Sequence, residues 1–439
     1  MTVERRYVAI ITGMNLSEEI QVLTRFYSDA WWKSSTSFPK FQRSYSTSDL
    51  KRNDRELQRV ADLVLKELDH MPRDDAGQVE VRERLLGVVK PFVRDTIGLE
   101  ESHLDMILHS GFIETSAQFA REALRYDPTL TDADIYQAAR NVMSMNFMQL
   151  LLGLPVRLTP SVFAYSLLYP YSDNILDDPR IPAHHKASFS EWFKRILMNE
   201  DPPPRSDRER RIKEMIGLVE KEFGRGKYPR VYESMLGIHS AQARSMEMIQ
   251  IKQSPYEADV LGLSFEKGGA SVQGDGFLVA GDLTAGQRKF MFGYGCFTQL
   301  MDDIEDIRSD LTGGIATIFT QCAGSWALDG MTNRLFHFGE AVFSQMDQFP
   351  GLDAKNLRDL VWICIQPALI GSLIASHKYY SPGYLRDLQQ HFPFHFRTMD
   401  KQQKKLRRRG FSITRMVKTA GFVPGEETGK TQRFFLTDN

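Results

Sequence analysis

The chain has 439 residues, 42% of them hydrophobic and 25% charged, with a formal net charge of −1. That composition fits a globular protein with a sizeable core, and the balanced charge gives no global electrostatic reason to expect a nucleic-acid partner. Cys296, Cys322 and Cys364 are widely spaced in apolar surroundings and match no zinc or redox pattern, so a reducing, cytoplasmic compartment is expected.

In chain order, residues 1–56 read as irregular, with a Ser/Thr-rich loop from Ser34 to Ser48. The short apolar stretch after Glu4, Arg5 and Arg6 is too weak for a signal peptide. Helical periodicity then predicts helices over 54–70, 79–108, 113–125, 132–153 and 160–177. Pro160 suits a helix start, Pro179 a stop, and Pro170 predicts a kink. Further helices are expected over 187–198, 207–224, 229–252, 256–272, 285–309, 331–347, 354–375 and 383–407. No apolar run is expected to reach the ~20 residues of a membrane span. With no alternating strands, the expected fold is all-α, a large antiparallel helical bundle. Residues 1–110 are expected to form an N-terminal helical extension, 111–415 the main helical domain and 416–439 a polar tail.

Two acidic clusters dominate the functional reading. The first is Asp173-Asn-Ile-Leu-Asp177-Asp178, the second Asp302-Asp303-Ile-Glu-Asp306. In each, two aspartates four residues apart share one helix face. Such neighbours repel one another unless a cation sits between them. An acidic run is usually a solvated face, but both clusters are set among aromatic and aliphatic residues rather than lysines and glutamates. Magnesium is the expected metal, because it takes one or two carboxylates, keeps waters, and completes its shell with phosphate oxygens.

The run Phe297-Thr-Gln-Leu-Met-Asp-Asp-Ile-Glu-Asp306 resembles the second aspartate-rich motif of trans-prenyl diphosphate synthases, including the glutamine at Gln299. The first cluster departs from the Asp-Asp-x-x-Asp of those enzymes. It looks like the first motif of squalene and phytoene synthases and of bacterial large-terpene synthases. The likeness to the class I isoprenoid (terpenoid) synthase superfamily covers roughly residues 130–380. It implies Asp173, Asp177, Asp302 and Asp306 as ligands of magnesium, three ions with substrate bound, and Asp178 and Asp303 as partial ligands or supports. It also implies Lys267 and Gln299 as diphosphate contacts, with Lys267-Gly-Gly breaking its helix to expose backbone N–H groups. Arg244, on a face with Gly237, Ser240 and Ala241, is a candidate diphosphate sensor; His239 and Gln242 are weaker ones. Tyr169, one turn before Asp173, is a candidate lining residue that could stabilise a cation through its ring face. The Lys404–Arg409 run reads more simply as a solvated basic face.

The resemblance implies an enzyme that ionises an isoprenyl diphosphate and cyclises or quenches the allylic cation. Elongating relatives carry a Gly-Gly-Lys-Arg segment before the first motif and Arg-Arg-Gly after it. This chain has neither, and His184 and His185 lie near where the arginines would fall. The alternatives are a prenyltransferase joining prenyl diphosphates and a non-catalytic prenyl diphosphate-binding partner; a homodimer is open in each case. Gly425–Thr431 is one residue short of a phosphate-binding loop, and the Glu67/His70 and Glu100/His103 pairs lack the further buried glutamates of a di-iron site.

Overall fold

The computed structural model describes residues 10–72, 74–176, 180–249, 258–349 and 354–408, and every regular element among them is helical. The first group is α1 (Leu16–Lys33), α2 (Thr47–Asp69), α3 (Asp75–Thr96), α4 (Glu101–His109), α5 (Phe112–Tyr126) and α6 (Asp132–Leu151). Next come α7 (Pro160–Leu176), α8 (Ala183–Leu197), α9 (Asp207–Glu222), α10 (Pro229–Ser245), α11 (Val260–Ala280) and α12 (Ala285–Glu305). The chain continues through α13 (Ile307–Gly313), α14 (Asp329–Phe343), α15 (Ala354–Ala375), α16 (Pro382–Gln389) and α17 (Phe396–Arg408). The all-α expectation is met among these residues. Capping explains several starts: Ser46, Thr131 and Thr284 each close a reciprocal capping box, at α2, α6 and α12.

The core is organised around α11 and α12, the most extensively packed helix pair. Nearly every α11 side chain is buried, as expected of a helix apolar on all sides. Around this pair lie α1, α6, α10 and α14.

Several expectations are corrected. Among the described residues of the first 56, the expected loop is present over 34–46, but Leu16–Lys33 and the residues from Thr47 onward are helical. Leu16, Ile20, Leu23, Tyr27 and Trp31 form the buried stripe of α1, with Asn15 accepting from the Glu18 N–H at 2.9 Å as its cap. The Tyr27 hydroxyl donates to the Lys289 carbonyl at 2.7 Å, so α1 is built into the bundle rather than appended to it. The helix expected over 79–108 is two helices, because Gly98 takes φ +89° between α3 and α4. Similarly, α16 and α17 replace one expected helix. By length and composition, Asn356–Ala375 in α15 is apolar enough to cross a membrane, against the expectation that no run would be; half of it is buried in the bundle. α7 runs through Pro170 as one helix.

Candidate active-site cavity

The site begins with a close helix crossing. A Cβ on Gly268 of α11 would lie 2.4 Å from the Gly295 carbonyl oxygen of α12, and one on Gly295 would lie 2.1 Å from the Gly268 oxygen. Both positions therefore need glycine for the backbones to meet. This corrects the expected helix break after Lys267, since α11 continues through Gly268 and Gly269 and frees no backbone N–H there. Each glycine costs a helix about 1 kcal/mol relative to alanine, and close packing against α12 offsets that. The crossing sets Lys267 beside the last turns of α12.

Those turns carry a ladder of carboxylates. The Asp306 N–H donates to the Asp302 carbonyl and the Asp310 N–H to the Asp306 carbonyl, each at 2.9 Å. One-turn spacing therefore persists although the helix changes from α12 to α13 at Asp306. Asp302 is half-buried and accepts from Arg140 Nη2 of α6 at 3.2 Å. Burial raises its pKa, Arg140 opposes the rise, and the like charge of Asp306 adds to it. Asp310 is pushed up to about 6 by burial and by Asp306, against the pull of Lys267.

Asp303 behaves differently. It is buried, accepts from Gln299 Nε2 at 2.9 Å and from the Ser264 hydroxyl of α11 at 3.2 Å, and does not line the cavity. Burial pushes it up to about 7, with Gln299 and Ser264 opposing. Its geometry ties α12 to α11 and fixes the amide of Gln299, which does reach the cavity wall.

The cavity has a volume of about 780 Å³, and half-buried Asp302 and exposed Asp306 both line it. Its walls come from α5, α6, α7, α8, α10, α11 and α12, with Phe147, Tyr165, Tyr169, Phe193, Met235 and Tyr294 among the large side chains. Tyr169 is among them, as expected, and its hydroxyl pairs with Ser271 at 2.7 Å. Asp173 lies on α7 between Ser172 and Leu176, which both line the cavity. Its side chain, and Asp177 and Asp178 entirely, fall outside the described residues. Near that end, Asn174 Nδ2 donates to Asp134 of α6 at 2.9 Å. α6 thus touches the cluster-bearing end of α7 through Asp134 and that of α12 through Arg140.

Arg244 is placed elsewhere. It pairs with Glu266 at 2.6 Å and lines a separate polar cleft. The cavity face of α10 is Met235, Ile238, His239 and Gln242. Small neighbours had pointed to the Gly237, Ser240, Ala241 and Arg244 face, but there Gly237 packs under Ile20 of α1. The Lys404–Arg409 run starts on α17, where Lys404 bonds Asp400 at 2.7 Å and Lys405 bonds Asp62 of α2; Arg409 lies outside the described residues.

At the cavity floor sits Asp275, only 1% exposed. Its Oδ2 accepts from the Ser144 hydroxyl at 2.8 Å, and its Oδ1 has no hydrogen-bond partner. Burial pushes this carboxyl up to about 8, with Ser144 and Asn141 opposing, so a neutral acid predominates at pH 7. Reading by cluster missed Asp275, Ser144, Arg140 and Asp310. Only Asp310 carried a signal, as the next i+4 carboxylate after Asp306.

Among the described residues, no three His, Cys, Asp or Glu side chains stand together as a complete metal cage. The pair Asp302 and Asp306 instead fits a hard cation that takes one or two carboxylates and fills its shell with water and phosphate oxygens. No family of known proteins, no curated protein and no solved structure matches this chain.

Proposed function

We propose that the chain is a magnesium-dependent enzyme of the class I isoprenoid synthase type, which ionises an isoprenyl diphosphate and guides the resulting allylic cation. The observation that carries this reading is the make-up of one cavity. Asp302, Asp306 and Lys267 line it together with the large apolar side chains of Phe147, Leu168, Tyr169, Met235 and Tyr294. Magnesium bound there would neutralise charge building on a departing diphosphate. Lys267 would meet the same oxygens as a point charge. Arg140 holds Asp302 in place, and Asp303 holds Gln299. With a hydrocarbon chain bound, the apolar side chains of the wall would keep out the water that would quench a cation, and the aromatic rings of Tyr169, Phe147 and Tyr294, which line the cavity, would stabilise it.

The test is turnover with single substrates. Purified protein with Mg²⁺ and one allylic diphosphate should release diphosphate and form a hydrocarbon or alcohol. Product formed only after isopentenyl diphosphate is added would assign chain elongation instead. Binding without turnover would reduce the chain to a prenyl diphosphate-binding partner.

A further inference from the structure

A second cleft, of about 590 Å³, opens beside the cavity between α4, α5, α6 and α15. Among the described residues, no charged side chain lines it. Its two serine hydroxyls are already committed to their own helix ends and turns: Ser110 donates to the Ile107 carbonyl at 3.1 Å and Ser116 to the Phe112 carbonyl at 2.8 Å. The cleft therefore presents a hydrocarbon surface and almost nothing else. It adjoins the cavity, sharing Phe112, Met143, Phe147 and Tyr294 as wall residues. The partition is a ring pair, Phe147 against Tyr294, with centroids 5.4 Å apart. Met143, at the same boundary, is left 48% exposed, which an apolar occupant would end.

We infer that the site takes a long-chain isoprenyl diphosphate, of C20 to C25, whose distal isoprene units lie in this second cleft. The inference rests on the proposed function and adds the substrate class. Length supports it. From Asp302 to Tyr294 the cavity follows α12 for eight residues, about 12 Å at helical rise. From Met143 to Leu150 the cleft follows α6 for seven more, about 10 Å. An extended isoprene unit spans about 5 Å at ordinary carbon–carbon bond lengths. The first cavity alone then holds two to three units, and cavity plus cleft holds four to five. A C15 chain would leave the cleft empty.

Cys364 lines the cleft and is exposed, so it reports on occupancy. In a Cys322→Ser background, Cys364 alkylation would be timed with Mg²⁺ and non-hydrolysable thiodiphosphate analogues of C15 and C25 chains, with binding followed by thermal shift. Both analogues should bind, and only the C25 analogue should slow alkylation, by fivefold or more. Ser116→Phe, which places a ring in the cleft, should weaken the C25 analogue at least tenfold and spare the C15 one. A C25 analogue that binds without protecting Cys364 overturns the inference and leaves the proposed function standing. Equal protection by neutral phosphatidylcholine vesicles alone, or by raising the protein concentration alone, also overturns it, assigning the cleft to a lipid surface or to a second copy. If neither analogue binds, the proposed function fails first.

Discussion

The two ends of α12 handle charge in opposite ways. Near the start, Arg288 is buried against Glu19 of α1, with Nε 2.9 and 3.0 Å from the two carboxylate oxygens. Gln273 adds a bond to Glu19 at 2.9 Å, and the remaining Arg288 nitrogens donate to the Leu283 and Ile11 carbonyls. Near the other end, Asp302, Asp306 and Asp310 stack one turn apart, with Arg140 and Lys267 as nearby cations. A fully paired buried charge holds helices in register. Carboxylates crowded together beside a cavity are held at a cost, and a cation that relieves it gives the arrangement a use.

The contrast is broken most severely by Asp302→Asn. The variant should fold, because it removes repulsion with Asp306, yet lose about three orders of magnitude in turnover, the equivalent of about 4 kcal/mol in activation free energy. Asp173→Asn should act alike. Equal activity in either variant would remove the metal assignment. Glu19→Gln should do the reverse: about 3 kcal/mol of stability lost in denaturant unfolding, since Arg288 is left buried and uncompensated, with magnesium affinity unchanged in the folded protein. Gly268→Ala tests the joint between the two ends. Its Cβ meets the Gly295 carbonyl, so about 1–3 kcal/mol of stability should be lost, and affinity for a diphosphate analogue should fall as Lys267 is displaced. Unaltered affinity in a folded variant would show that the crossing does not set the site.

A pH-dependent effect sharpens the role of the cavity floor. Asp275 has a folded pKa of about 8, above the ~3.9 of an unfolded aspartate. The folded state thus binds the extra proton between those values, and stability falls as pH rises from about 4 to about 8. Asp275→Asn keeps the shape without the titration. It should match the wild type near pH 4, gain on it as pH rises towards 8, and be clearly the more stable protein at pH 8.5. Identical pH profiles in the two proteins would show that Asp275 is not held neutral.

Local spacing carried much of this site. Asp302 and Asp306 share a face because a helix brings i and i+4 together, wherever that helix lies. The length of α12 and the starts at Thr131 and Thr284 follow from the same short-range rules. Arg244 shows the limit. Its four-residue neighbours describe a face of α10, but which face meets the cavity depends on Ile20 arriving from α1, more than 200 residues away in the sequence.

What the amino-acid order determined by itself was therefore periodic: helices, their caps, and which acids stand one turn apart. Tertiary structure decided what each face looks at. Gly268 and Gly269 looked like a helix break because glycine weakens an isolated helix. In the folded protein the missing Cβ lets α11 and α12 meet, and that packing, invisible in a one-dimensional pattern, outweighs the local preference. Asp275 was silent for the same reason, since a lone aspartate in an apolar helix acquires meaning only from the cavity that forms around it.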